Sequence, residues 1–370
     1  MTQPADPRHH YSHTKLLSEA TAVPGTVDAV IVPTNRKVGF LQRAMRLAGD
    51  LDCLLIVLCS RWSHARPVLG AAAAAGVRAV AVDVPPRAGL PQLETDDLLD
   101  DTSFSGRTDT SMKRNIGLAV AHMMPDWRAV LFLDDDITVT ADDVRGAAGL
   151  LADYAAVGLT NAGFPDNSVV CHANREVGGT QDTFIGGGAL VVPARSRSYF
   201  PHVYNEDWFF LFEHVRDRRV AVTGRAEQKE YDPYRSAKRA RRQEFGDCLA
   251  EGVFELLDDG RGLAEAGVDF WRDYLTRREA FIAGILDRTR HMPMPRAKRE
   301  RAAAQAKRER MVAALTTAQA SRAEITPKLC VRYLDAWQRD RLAWAAFLDR
   351  VPPLGNVQEA LRHLSLHPVS

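Results

Sequence analysis

The chain has 370 residues, enough for two domains or for one large domain with an appendage. With 46% apolar residues it can bury a sizeable core. Its 48 basic and 47 acidic residues leave a net charge of +1, so overall charge selects no partner and no nucleic acid is expected.

No stretch reaches the roughly 20 apolar residues of a membrane span. The cysteines (Cys53, Cys59, Cys171, Cys248, Cys330) show neither CxxC nor zinc spacing, which fits a reducing, cytoplasmic setting. Cys53 and Cys59 lie in an apolar run and read as small buried hydrophobes. Residues 1–26 read as a disordered tail: Met1 to Thr21 is polar and lacks the apolar core of a signal peptide. His9, His10 and His13 are metal-ligand types but read as part of that mobile tail.

Ala29 to Val32 reads as a buried strand stopped by Pro33, and Gly39 to Leu47 has helical spacing. Cys53 to Cys59 is a second strand. His64 to Ala75 is helical, closed by Gly76. Val77 to Val84 is a third strand, ended by Pro85-Pro86. This alternation predicts a parallel sheet with right-handed crossovers, in which ligands bind beyond the carboxyl ends of the strands. Those ends carry Thr34-Asn35-Arg36, Ser60-Arg61 and Asp83. Arg87 to Thr110 reads as a long polar loop, functional or mobile. A helix starts at Met112 with Lys113, Arg114 and Asn115 in its first turn. Cations there oppose the helix dipole unless an anion sits beside them; the alternative is three solvated residues.

Ala129 to Leu133 is a buried strand running into Asp134-Asp135-Asp136. Side chains alternate along a strand, so Asp134 and Asp136 should face one way and Asp135 the other. Two such carboxylates at a crevice can seat one hard divalent cation. They can equally form a solvated turn, with Asp136 capping the next segment. Ala141 to Tyr154 is a helix, Val157 to Thr160 a strand, and Asn161 to Thr183 irregular and polar. Gly186-Gly187-Gly188 leads into the strand Ala189 to Pro193, letting the backbone approach a partner closely. A phosphate-cradling loop would lead into a helix, which excludes a P-loop or dinucleotide fingerprint here. Asn205 reads as a helix N-cap with Glu206 and Asp207 in the first turn, so capping alone accounts for both acids. Val220 to Thr223 is a strand and Gln228 to Tyr234 an exposed connection.

From about Arg235 the chain is helical: Arg239 to Leu257, Ala264 to Asp287, and a helix opened by Thr326-Pro327 all carry apolar stripes. Arg296 to Arg310 is a basic helix. It reads as a solvated face, with peripheral contact to an anionic membrane or to phosphates as the alternative.

Together, the strand ending Pro33-Thr34-Asn35-Arg36, Lys113-Arg114-Asn115, the Asp cluster, the glycine run and Asn205-Glu206-Asp207-Trp208 resemble the GT-A glycosyltransferases of the family-two type. The resemblance covers roughly Val27 to Arg235, so 27–235 is expected to be the GT-A domain and 236–370 a helical region. It implies an α/β, Rossmann-like fold, a mostly parallel sheet flanked by helices, with a C-terminal α-helical extension. It implies a UDP- or GDP-sugar donor, a hydroxyl acceptor (a small molecule or soluble glycan) and Mn2+ or Mg2+. Pro33, Thr34 and Arg36 would border the nucleotide and Asp83 would meet the base. Lys113, Arg114 and Asn115 would lie near the nucleotide-sugar. Asp134 and Asp136 match the Asp-X-Asp motif, with Asp136 on the metal and Asp134 also on sugar or ribose hydroxyls. Asp135 belongs to the same donor surface and would matter least. Gly187 and Gly188 would lie under the sugar and acceptor, beside Glu206, and Asp207 would be the general base of an inverting enzyme.

The chain departs from the family pattern in two places. No Gln-X-X-Arg-Trp motif follows the acid, and Ala226-Glu227-Gln228 stands where other members carry a metal-binding histidine. Gln228 or Glu227 is the candidate substitute; His202 and His214 read as structural. In a retaining enzyme Asp207 would not be the base. A sugar-phosphate nucleotidylyltransferase is a competing reading, against which Pro33 to Lys37 lacks glycines. A non-catalytic nucleotide-sugar-binding scaffold is another, its C-terminal helices binding a partner or forming a homodimer.

Overall fold

The computed structural model describes residues 13–100, 102–105 and 109–369. Its strands are β1 (Ser18–Glu19), β2 (Ala29–Thr34), β3 (Leu54–Cys59), β4 (Ala79–Asp83), β5 (Ala129–Leu133), β6 (Ile137–Val139), β7 (Ala156–Asn161), β8 (Ala189–Pro193) and β9 (Val220–Gln228). The helices are α1 (Gln42–Asp50), α2 (Ala65–Ala74), α3 (Glu94–Asp100), α4 (Asp109–Met123), α5 (Ala141–Gly149), α6 (Val169–Glu176), α7 (Glu206–Arg216), α8 (Ala237–Asp258), α9 (Val268–Arg290), α10 (Lys298–Glu324), α11 (Pro327–Leu348) and α12 (Val357–His363).

One sheet runs β1-β9-β7-β8-β5-β2-β3-β4, with β6 on β9. β8 is antiparallel to β5 and β7, and β6 to β9; the remaining pairs are parallel. The expected mostly parallel α/β sheet with helices after it is therefore what the chain adopts. Alternation along β2 sends Ala29 and Ile31 to one face and Val30 and Val32 to the other. The second face is covered by α1, α2 and α5. The first is covered by α4 and α7 together with α8, α9, α11 and α12. The helices after residue 235 thus share a core with the sheet. A smaller apolar cluster joins α6, α9 and α10. No helix among the described residues is long and apolar enough to cross a membrane.

Several elements differ from expectation. Residues 1–12, with His9 and His10, lie outside the described residues, but from His13 onward the expected tail belongs to the fold. β1 pairs with β9, and His13 is buried between Asp258 (2.6 Å) and Glu251 (3.2 Å). Pro33 lies inside β2. The strand pairs with β5 only as far as Ile31, so the missing N–H interrupts no ladder there. The polar stretch before α4 contains α3, whose first N–H groups are capped by Asp340 of α11 at 2.7 and 3.0 Å. The irregular stretch after β7 contains α6, capped by Ser168. Gln228 and Tyr234 are buried rather than exposed. Gly76, at φ 70°, closes α2 as predicted.

Candidate active site

β5 ends at Leu133, and a turn closed by Ile137 N–H on Asp134 O replaces the strand, so alternation stops there. The acids therefore do not divide as predicted. Asp135 and Asp136 face Arg36 together, each at 2.8 Å, while Asp134 faces Arg114 alone. Asp135, far from being peripheral, is buried and accepts Thr34 Oγ1–H at 2.6 Å. Burial raises its pKa, with Thr34 and Arg36 opposing.

α4 starts at Asp109, so Lys113, Arg114 and Asn115 stand beyond the first turn, and all three are buried. Lys113 Nζ bonds Thr34 O (2.7 Å), Ser60 Oγ (2.7 Å) and Asp109 (3.0 Å), tying the ends of β2 and β3 to the helix. Burial lowers its pKa. Arg114 joins Glu206 (2.6 Å) to both oxygens of Asp134 (3.0 and 3.2 Å) over the face of Phe200. Asn115 brackets the Phe200 backbone with two hydrogen bonds of 2.8 Å, a structural clamp.

The glycine run faces these groups. Gly188 O accepts the Asp134 N–H, and the Gly187 N–H donates to Asp207 Oδ2 at 2.7 Å. A Cβ on Gly188 would come within 2.5 Å of Ile137, and one on Gly187 within 2.6 Å of the Arg114 guanidinium. Asn205 stands at φ 61° and its side chain caps nothing; its amide reaches Asp247 instead. Capping by Asn205 therefore does not account for this helix start. Burial raises the pKa of both Glu206 and Asp207, against the pull of Arg114.

These residues surround two adjoining cavities. One, of about 320 Å³, is lined by Arg114, Gly186, Gly188, Glu206, Asp207 and Trp208 among others. The second, of about 250 Å³, is lined by Pro33, Thr34, Arg36, Lys113, Asp135 and Asp136. Thr110, Asp134, Asp166, Gln228 and Arg239 line both. Asp83 lines neither: it is half-exposed and holds the first N–H of α2 at 3.0 Å. Glu227 is exposed, whereas Gln228 is buried at the junction. His214 bonds Ser198 and His202 pairs with Asp96.

Asp166 and Arg239 were not singled out as site residues from the sequence. Asp166 sits in a polar loop and Arg239 in a helical charge run, and nothing in their spacing marks them. Water reaches Asp166 through the cavity although protein surrounds it. That enclosure, then Asp134 and Asp207, pushes its carboxyl up to about 6.

Do these groups suit a divalent cation? Only Oδ2 of Asp136 is engaged, by Arg36, and Asp166 has no hydrogen-bond or ion-pair partner among the described residues. Both are hard oxygen donors with capacity to spare and so fit such an ion. Asp134 would have to share its oxygens with Arg114. The one set of three such ligand types whose atoms lie within 4.8 Å of one another among the described residues is instead Cys171, Asp247 and Glu251. There Asp247 is paired with Arg278 and Glu251 with His13, and burial keeps the Cys171 thiol protonated.

No family model and no curated protein matches the chain. It is similar in part to glucosyl-3-phosphoglycerate synthase from Mycobacterium tuberculosis, at 16% identity and a TM-score of 0.37, over 56% of this chain and 73% of that one. It is similar to S. aureus TarS 1–349 in complex with UDP-GlcNAc, at 12% identity and a TM-score of 0.35, over 80% and 91%. It is also similar to the galactosyltransferase LgtC, at 15% identity and a TM-score of 0.28, over 53% and 73%. The functional reading of this chain rests on its own sheet and cavities.

Proposed function

We propose that the chain is a GT-A-type glycosyltransferase, moving a sugar from a UDP- or GDP-sugar to a hydroxyl acceptor. The observation that carries this reading is the meeting of Arg114, Asp134, Glu206 and Asp207 at the carboxyl end of β5, around one cavity that shares Asp134 with a second. One cavity, walled by the ends of β2 and α4, has the place of a nucleotide site in a parallel sheet. The other holds a carboxylate able to take a proton.

In this reading Asp207 is the base. Its two oxygens accept N–H groups from Gly187 and Trp208, at 2.7 and 2.9 Å, which fixes its orientation. Its burial brings its pKa nearer neutrality, as proton abstraction requires. Arg114, held by Asp134 and Glu206, keeps that carboxylate beside a fixed positive charge. Asp136 and Asp166 would hold Mn2+ or Mg2+, which when bound would neutralise diphosphate charge as a Lewis acid. Arg36 and Lys113 also line the donor cavity, where Asp135 and Asp136 pair with the first and Asp109 with the second.

Thermal unfolding with UDP, GDP or CTP, each with and without Mn2+, tests the reading. A ligand at a hundred times its dissociation constant adds about 2.7 kcal/mol. Stabilisation by a nucleoside diphosphate, increased by Mn2+, is expected. No response to either diphosphate overturns the proposal, and a response to CTP alone points to nucleotidyl transfer instead.

A further inference from the structure

The wall shared by the two cavities contains one cation, Arg239 of α8. The other cations of the cavities are already held by carboxylates: Arg36 by Asp135 and Asp136, Lys113 by Asp109, and Arg114 by Asp134 and Glu206. Arg239 pairs with no carboxylate among the described residues. Its guanidinium lies 4.5 Å over the ring of Tyr231, whose hydroxyl is in turn held by His172 at 3.1 Å. The cation is thus positioned by Tyr231, and its charge acts on Asp166 across the junction without forming an ion pair among the described residues.

We propose that Arg239 binds the diphosphate of the donor and takes up the charge that develops on the leaving group. This rests on the glycosyltransferase reading above. In transfer, the bond from sugar C1 to the phosphate oxygen breaks and its electron pair stays on that oxygen. The acceptor oxygen bonds to C1 and its proton passes to the Asp207 carboxylate. One negative charge is gained by the departing diphosphate, at the boundary between the donor and acceptor cavities where Arg239 stands. A guanidinium presents paired N–H donors suited to two phosphate oxygens. The assignment gives the helices after residue 235 a part in the chemistry, since α8 then completes the donor site.

The test is calorimetric titration of UDP, GDP, UMP and GMP into the native chain and into Arg239→Met and Arg239→Lys, with kcat and KM for transfer. Methionine retains packing on Tyr231 and removes the charge. The expected result for Arg239→Met is a roughly 10- to 100-fold loss of diphosphate affinity, the size of a lost charge-assisted hydrogen bond. Monophosphate affinity should stay unchanged, kcat should fall, and lysine should restore part of the loss. Unchanged diphosphate affinity in Arg239→Met, or equal loss of mono- and diphosphate, overturns the role of Arg239 while leaving the glycosyltransferase reading intact. A native chain that binds neither UDP nor GDP overturns both.

Discussion

The carboxylate of Asp207 accepts the amide N–H of Gly187 at 2.7 Å, so the acid at the start of α7 and the glycine run before β8 form one unit. A side chain at position 187 would enter the space of the Arg114 guanidinium, which itself bridges Asp134 and Glu206. Glycine is thus required there for close approach, although its backbone is unstrained.

Asp207→Asn removes the proposed base. Transfer should fall by about 100- to 10000-fold, with UDP or GDP affinity retained. Since burial raises the pKa of Asp207 above its ordinary 3.8, kcat in the native enzyme should fall as pH drops through a value above 3.8. Transfer by Asp207→Asn at the native rate would remove Asp207 from the mechanism.

Gly187→Ala places a methyl group 2.6 Å from Arg114 Nη1, against a guanidinium fixed by two carboxylates. Overpacking of this kind costs about 1–3 kcal/mol. The urea midpoint should fall accordingly, and transfer should be lost more than diphosphate binding. A variant with native midpoint and native kcat would show that Arg114 yields freely.

Asn115→Ala breaks both hydrogen bonds to the Phe200 backbone and leaves buried donors and acceptors unpaired. Each unpaired group costs about 1–3 kcal/mol. Lower stability with unchanged UDP and GDP affinity is expected. A selective loss of nucleotide affinity at native stability would return Asn115 to the donor site.

His13 gives the fold a pH dependence. Burial by itself lowers its pKa, but the hydrogen bonds to Asp258 and Glu251 outweigh it and raise the value from 6.5 to about 9. A folded value above the unfolded one means the contribution is complete below pH 6.5 and is lost as pH rises through 9. It amounts to roughly 3 kcal/mol at most. The difference in urea stability between the native chain and His13→Gln should therefore be largest near pH 6 and shrink toward pH 10. A constant difference would mean that His13 is not charged in the fold.

Some of this was legible from local pattern alone. The apolar runs of β2, β3 and β5 and the helix ended by Gly76 follow from periodicity and from residues that set their own backbone geometry. The order of Arg114, the Asp cluster, the glycines and Asp207 along the chain implied one crevice through its resemblance to the GT-A pattern, and the antiparallel pairing of β8 with β5 sets the start of one strand beside the end of the other. Strand alternation, in contrast, misassigned the three acids, since it ends where the turn begins at Asp134.

Tertiary structure decided the remainder. Arg114 meets Glu206 across 92 positions, α3 takes its cap from Asp340, and His13 finds Asp258 across 245. Arg239 reaches the junction only because α8 covers the sheet face that carries the site. Local sequence determined which segments bury apolar surface and where α2 stops at Gly76, because these depend on neighbours within a few residues. The charge of a buried group depends on which distant charges folding brings beside it, and only the packed chain determines that.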